Sequence, residues 1–155
     1  PAVLAYIALG ANLGQARSAV LQALQDLSAL PGTTLRRRSS LYRSAPVDAA
    51  GPDFINAVAE LATTLSPQQL LTELQRVEQA AGRQRPHRNA PRTLDLDIVL
   101  YGDAVLDSPA LTIPHPRMLE RAFVLLPLAE IAPQRVSAEQ LQAVKPQAIE
   151  RVSDA

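Results

Sequence analysis

Residues Ala2 to Leu9 form an unbroken apolar run that stops at Gly10. Successive side chains of a strand point to opposite faces, so a run with no polar member on either face describes a strand covered on both sides. The fold must therefore supply packing above and below this segment. The chain has 155 residues, 47% of them hydrophobic and 19% charged. That is enough apolar material for one ordinary domain and too much for a disordered chain. No apolar run approaches the roughly 18 residues of a membrane helix, and the N-terminal residues lack the basic start and cleavage site of a signal peptide, so a cytoplasmic protein is expected. The chain has no cysteine, which removes disulfides, thiolate nucleophiles and Cys-ligated metal centres.

The remaining pattern supplies the covering layers. Ala16, Ala19, Val20, Ala23, Leu27 and Leu30 recur at helical spacing until Pro31-Gly32, a helix with a buried stripe and a clear stop. Thr33 to Tyr42 and Phe54 to Thr63 read as strands, separated by a loop from Arg43 to Asp53 that contains Pro46, Gly51 and Pro52. Ser66-Pro67-Gln68-Gln69 is a capping box with proline at the first helical position. The helix it opens buries Leu70, Leu71, Leu74, Val77 and Ala81 and ends at Gly82. Thr93 to Tyr101 alternates Asp95, Asp97 and Val99 with Leu94, Leu96, Ile98 and Leu100, a strand with one face in the core. Pro127 and Pro133 are expected to break up the region after Met118, and Ser137 to Lys145 to form a short helix before Pro146. The order β-α-β-β-α-β predicts an α+β, ferredoxin-like core: an antiparallel sheet with helices packed on it and a short C-terminal extension. Residues 1–155 are expected to form one domain.

Formal charge sums to zero, yet the charges are segregated. Arg83, Arg85, Arg88 and Arg92 follow one another with no acid between them, and Asp95, Asp97, Asp103 and Asp107 come next with no base. Every cation except Lys145 is an arginine, the side chain whose planar fork grips phosphate through two bonds. The neutral total argues for a phosphorylated small molecule over a polyanion. Asp95 and Asp97, two apart on a strand, leave the same face about 6.5 Å apart along the chain. A hard cation such as Mg²⁺ would resolve their repulsion; on spacing alone a solvated strand face is the simpler reading, and the neighbouring arginines tip the balance toward the cation.

Other candidates keep two readings. His115, between Pro114 and Pro116, is either structural or, with Arg121, a donor to a phosphate. Gln75 and Glu78, three apart on the second helix, are either exposed helix polarity or partners of a ribose or base. Phe54 and Phe123 either pack in the core or stack on a flat ring. Gly10-Ala11-Asn12-Leu13-Gly14 lacks the Lys-Ser/Thr of a P-loop and the third glycine of a dinucleotide fingerprint.

The segment Arg88-Asn89-Ala90-Pro91-Arg92-Thr93-Leu94-Asp95-Leu96-Asp97-Ile98-Val99 resembles the signature of the 6-hydroxymethyl-7,8-dihydropterin pyrophosphokinases of folate synthesis. Similar matches run from Ala5 to Pro133, among them Ala5–Gly14, Ser39–Arg43, Phe54–Ala57, Ile113–His115 and Pro127–Pro133. The resemblance implies a ferredoxin-like α+β fold and transfer of the β,γ-diphosphate of ATP to the pterin hydroxymethyl group with release of AMP. It implies two Mg²⁺ ions on Asp95 and Asp97, and catalytic stabilisation of shifting phosphate charge by Arg83 and Arg92. Arg85, Arg88, Arg92, His115 and Arg121 become phosphate contacts, and Gln75, Glu78, Ile98 and Thr112 line the adenosine site. Phe54 and Phe123 sandwich the pterin, Asn56 reads its amide edge, and Ser44, Ala45 and Val47 complete the pocket. The partners expected are small molecules, with neither nucleic acid nor membrane, and a monomer is expected. Several features depart from the family pattern: the chain has no Trp, Pro116 follows His115, the Arg-rich loop is about one residue shorter, and Ser44-Ala45 stands where Thr-Pro is common. Two rivals stand beside this reading. One is a kinase moving only the γ-phosphoryl group; the other is an RNA-binding module, against which stand the neutral charge and aspartates where stacking rings are needed.

Overall fold

The computed structural model describes residues 1–46, 51–82 and 94–153. In chain order its elements are β1 (Val3–Ala11), α1 (Ala16–Ser28), β2 (Thr33–Arg38), β3 (Leu41–Ser44), β4 (Phe54–Thr63), α2 (Pro67–Ala81), β5 (Asp95–Tyr101), β6 (Leu106–Asp107), β7 (Thr112–Ile113), α3 (Ala122–Ile131), α4 (Ala138–Val144) and β8 (Ile149–Val152). The main sheet runs β5-β1-β4-β3-β8, with β2 beside β3 along the same edge of β4, and every pairing is antiparallel. β2 and β3 together fill one strand position, which gives the split βαβ arrangement its order.

The apolar run that opens the chain is β1, and it is covered on both sides. One face packs Ile7 and Leu9 with Leu24 and Leu27 of α1, Leu70 and Leu74 of α2, and Leu96 and Ile98 of β5. The other packs Tyr6 and Ala8 with Val58, Val99, Leu100, and Val124 and Leu128 of α3. The capping box of α2 forms as the sequence predicts, Ser66 Oγ accepting from Gln69 N–H and Gln69 Oε1 from Ser66 N–H.

Three expectations are corrected. Pro127 does not break the chain: α3 runs through it. The proline lacks only the N–H that would bond the Phe123 carbonyl. Burial of Val124, Leu125, Leu128 and Ile131, at roughly 1.5–3 kcal/mol each, exceeds the ~3 kcal/mol that an internal proline costs. The single strand expected over Thr33 to Tyr42 is two, interrupted at Ser39-Ser40. There Ser40 turns from the sheet and gives its N–H and hydroxyl to the Glu130 carboxylate, at 3.0 and 3.1 Å and at 2.9 Å. Leu100 does not share a face with Leu96 and Ile98. The β1–β5 register slips where Tyr6 faces Leu100 and Ile7 faces Ile98, so Val99 is the extra residue of a β-bulge. Val99 and Leu100 both pack toward α3, and Tyr101 turns to the α1/α2 side.

Two carboxylates anchor the α3 face. Glu130 also accepts from the Tyr42 hydroxyl at 2.7 Å and faces Arg151 at 3.4 Å, tying α3 to β3 and β8. Burial alone would raise its pKa; the bonds from Tyr42 and Ser40, with the charge of Arg151, override that and hold it below the ordinary range. Glu60, only 5% exposed, accepts from the Tyr6 hydroxyl at 2.6 Å and lies 3.8 Å from Arg36 Nε. Burial first, then this bond and the Glu60 charge, push the Tyr6 phenol from 10.0 up to about 12. The folded state thus favours the neutral phenol. The stability this contributes is present in full below pH 10.0 and is lost as pH rises toward 12. Tyr6→Phe is therefore expected to lower stability at neutral pH by roughly 1–3 kcal/mol in urea unfolding, and the gap between wild type and variant should close between pH 10.0 and 12.

Candidate functional site

The strand register builds the site in rows. Gly10 of β1 stands between Asn56 of β4 and Asp95 of β5, and Ala8 stands between Val58 and Asp97. Tyr42 continues the first row on β3, and Ser44 lies opposite Phe54. Ala8 and Val58 face α3, so the acidic pair faces that side as well. α3 begins only at Ala122, and this end of the sheet carries a cleft of about 300 Å³ lined by Gly10, Phe54, Asn56, Asp95, Asp97 and Phe123.

Each wall has a local cause. Gly10 keeps the floor low: a Cβ there would lie 3.3 Å from Asn56 Oδ1 and 3.8 Å from the Phe54 ring. Asn56, 3% exposed, donates through Nδ2 to Ser44 Oγ at 2.8 Å and more weakly to the Tyr42 carbonyl at 3.5 Å. Its Oδ1 is left toward the cleft as an acceptor. Two aromatic rings, one acceptor and a flat floor suit a planar heterocycle with an amide edge.

A second cleft, about 400 Å³, opens toward the other edge of β5 and is lined by Leu71, Ile98, Thr112, His115 and Arg117, with Asp97. Asp97 is thus common to both clefts. His115 Nδ1 accepts from the Arg117 and Met118 N–H groups, both at 3.3 Å. The neutral ring therefore carries its proton on Nε2, as a donor.

Burial, the largest cause, and the like charge of Asp95 raise the Asp97 pKa, against the lowering effect of His115. A carboxylate held at such a cost is one that a cation stabilises. Among the described residues no group of three Asp, Glu, His or Cys side chains could share an ion. Two carboxylates suit Mg²⁺, which keeps waters and substrate oxygens in its shell, and fall short of the closed set that Zn²⁺ takes.

The structure brings Ala45, Phe54, Asn56, Asp95, Asp97 and Phe123 to one cleft and Ile98, Thr112 and His115 to the other. Ser44 stands behind Asn56 as its partner. Gln75 is exposed on α2 and lines neither cleft, and Glu78 bonds the Leu96 backbone N–H at 2.8 Å. Arg121 caps α3, its carbonyl accepting from Val124 and Leu125, and lines neither cleft. Val47, Arg83, Arg85, Arg88 and Arg92 lie outside the described residues. Sequence reasoning missed Gly10, Asn12, Leu71, Arg117 and Met118 as lining residues. Gly10 and Asn12 carry a signal, a glycine segment at a strand end; Leu71 belongs to the apolar stripe of α2 and carries none.

The pattern of the 7,8-dihydro-6-hydroxymethylpterin-pyrophosphokinase (HPPK) family matches residues 6–133. This chain belongs to the HPPK family. It is 49% identical over 131 residues to the 2-amino-4-hydroxy-6-hydroxymethyldihydropteridine pyrophosphokinase of Haemophilus influenzae, covering 84% of this chain and 82% of that one. To the Pseudomonas aeruginosa protein of the same name it is 50% identical over 129 residues, covering 83% and 80%. Among solved structures, a wild-type Plasmodium falciparum HPPK-DHPS superposes with a TM-score of 0.64 at 15% identity, over 85% of this chain and 40% of that one. An HPPK-DHPS in complex with substrates gives 0.66 at 12%, over 86% and 40%. These likenesses show the fold of an HPPK domain, and this chain spans about two-fifths of those longer proteins.

Because the floor of the HPPK cleft is backbone, Gly10→Ala should leave the fold intact. It should weaken binding of 6-hydroxymethylpterin by about 1–3 kcal/mol, measured by calorimetry, with nucleotide affinity unchanged.

Proposed function

We propose that this chain transfers the β,γ-diphosphate of ATP to the hydroxymethyl group of 6-hydroxymethyl-7,8-dihydropterin, giving AMP and the pterin diphosphate for folate biosynthesis. The observation that carries this reading is the position of Asp97, which lines both the aromatic cleft and its neighbour. A phosphate chain passing from a nucleotide in one to an acceptor in the other would cross that carboxylate.

In this reading Phe54 and Phe123 stack on the pterin over the Gly10 floor, and Asn56 Oδ1, aimed by Ser44, accepts from its amide edge, with Ala45 and Val47 completing the pocket. Ile98, Thr112 and His115, together with Gln75, form the nucleotide side, while the Glu78 carboxylate accepts from the Leu96 N–H. The hydroxymethyl oxygen attacks the β-phosphorus in line; the bond to the α-phosphate oxygen breaks, and AMP leaves. Such transfer depends on positioning and charge neutralisation more than on a protein base. His115 donates its Nε2 proton to a phosphate oxygen as a hydrogen bond. Arg83 and Arg92 stabilise the charge shifting toward AMP, with Arg85, Arg88 and Arg121 as further phosphate contacts and Arg117 as an added cation at the rim. Asp95 and Asp97 would hold Mg²⁺, two ions in the full reading, which supplies charge neutralisation to the phosphates when bound. The whole chain, 1–155, acts as one domain, a cytoplasmic monomer whose partners are small molecules. Among the described residues no helix is long and apolar enough to cross a membrane.

The test is ³¹P NMR of the protein with ATP, Mg²⁺ and 6-hydroxymethyl-7,8-dihydropterin. AMP and a pterin diphosphate are expected, with turnover lowered by about 10²-fold or more in Asp95→Ala and in Asp97→Ala. ADP as the product would replace this reading with γ-phosphoryl transfer.

A further inference from the structure

We propose that Glu78 is a positioning residue that fixes the geometry of Asp95 and Asp97 by bonding the backbone between them, a role distinct from contact with adenosine. β5 is an edge strand of the main sheet. An edge strand presents a row of backbone groups with no neighbouring strand to hold them. At Leu96, the residue between the two aspartates, the outward N–H is taken by Glu78 Oε2 at 2.8 Å. Farther along, the Val99 carbonyl is taken by the His115 N–H at 3.1 Å. Among the described residues the outer edge of the acidic segment is thus held at two points, one a side chain and one a loop backbone.

The pin is rigid because its base is rigid. Glu78 stands on α2 beside Val77, on a helix whose Leu70 and Leu74 are fully buried against the sheet. A carboxylate accepting from an amide makes a charge-assisted bond, stronger than a neutral one. Glu78 approaches from the α2 side while the aspartates face α3, and among the described residues no third acid joins their set. It can therefore set where the pair stands without competing for the ion. The spacing of the two carboxylates is the extension of Asp95-Leu96-Asp97, and a bond to the middle amide is the most direct means of holding that extension. Outer partners that orient metal ligands typically cost 10–100-fold in metal affinity when removed.

This inference rests on the metal-holding role proposed for the pair, and three variants test it. Glu78→Ala removes the acceptor, Glu78→Asp keeps the charge but is one methylene too short, and Glu78→Gln keeps an oxygen at the same reach without the charge. The readouts are amide hydrogen exchange at Leu96 by NMR and Mn²⁺ affinity in the presence of a non-hydrolysable ATP analogue by electron paramagnetic resonance. Glu78→Ala and Glu78→Asp are expected to speed Leu96 exchange and to weaken Mn²⁺ binding by about 10-fold or more, with Glu78→Gln, whose neutral oxygen still reaches the amide, falling between wild type and Glu78→Asp in both. If Glu78→Ala does not fold, Glu78→Asp carries the test alone. Unchanged Leu96 exchange, unchanged Mn²⁺ affinity, a Gln variant as impaired as the Asp variant, or no Mn²⁺ binding by the wild type would each overturn the proposal. Absence of AMP from the wild-type reaction would instead remove the pyrophosphokinase reading, since neither readout here uses the pterin or turnover.

Discussion

Everything at the site hangs on the two-sided burial of β1. Because both faces of this strand are packed, a slip by one residue would exchange the side chains fitted to its two cores and carry the Tyr6 hydroxyl away from Glu60. Its register with β4 and β5 is therefore fixed, and that register sets Gly10 between Asn56 and Asp95 and Ala8 beside Asp97. The first cleft lies where the sheet outruns α3, and the second lies along the outer edge of β5 beside α2. Catalytic geometry of this kind is inherited from core packing, and loops contribute walls to it.

The helices and most strands were legible because their signals are local. The capping box at Ser66, the apolar run of β1 and the acidic alternation of β5 each need only neighbours in sequence to be read. What escaped depended on contacts between distant residues. The break between β2 and β3 exists because Glu130, ninety positions on, draws Ser40 out of the sheet. α3 continues through Pro127 because two layers bury it. The inversion at Leu100 comes from a bulge, which alternation alone cannot reveal. In the site, Asp95, Asp97, Phe54 and Phe123 were legible as types and spacings, and Asn56 only through the family resemblance. Ser44 and Glu78 were placed on ligands by resemblance, yet their hydrogen bonds run to Asn56 and Leu96. Arg117 carried no signal beyond its position near His115.

Two kinds of carboxylate meet on the α3 side of the sheet, Glu60 and Asp97 from its strands and Glu130 from the helix. Glu60 and Glu130 have their donors supplied by the protein: Tyr6 for one, and Ser40, Tyr42 and Arg151 for the other. They act as internal fasteners. Asp97 is treated in the opposite way, its pKa raised by burial and by Asp95. The same side-chain chemistry thus becomes structural where the fold satisfies it and functional where the fold leaves that to a ligand.

The extra residue at Val99 divides β5 into two lengths under different obligations. Before it, the strand presents carboxylates to the clefts; after it, Leu100 and Tyr101 anchor the strand in opposite cores, Tyr101 also reaching the Leu65 carbonyl at 2.6 Å. A bulge is already an inserted residue, so the anchoring half can absorb a further gain or loss by reshaping it. In the half before it, one residue more or fewer would turn an aspartate to the wrong side of the sheet. Length variation among descendants of this chain should accordingly collect on one side of Val99 and be purged from the other.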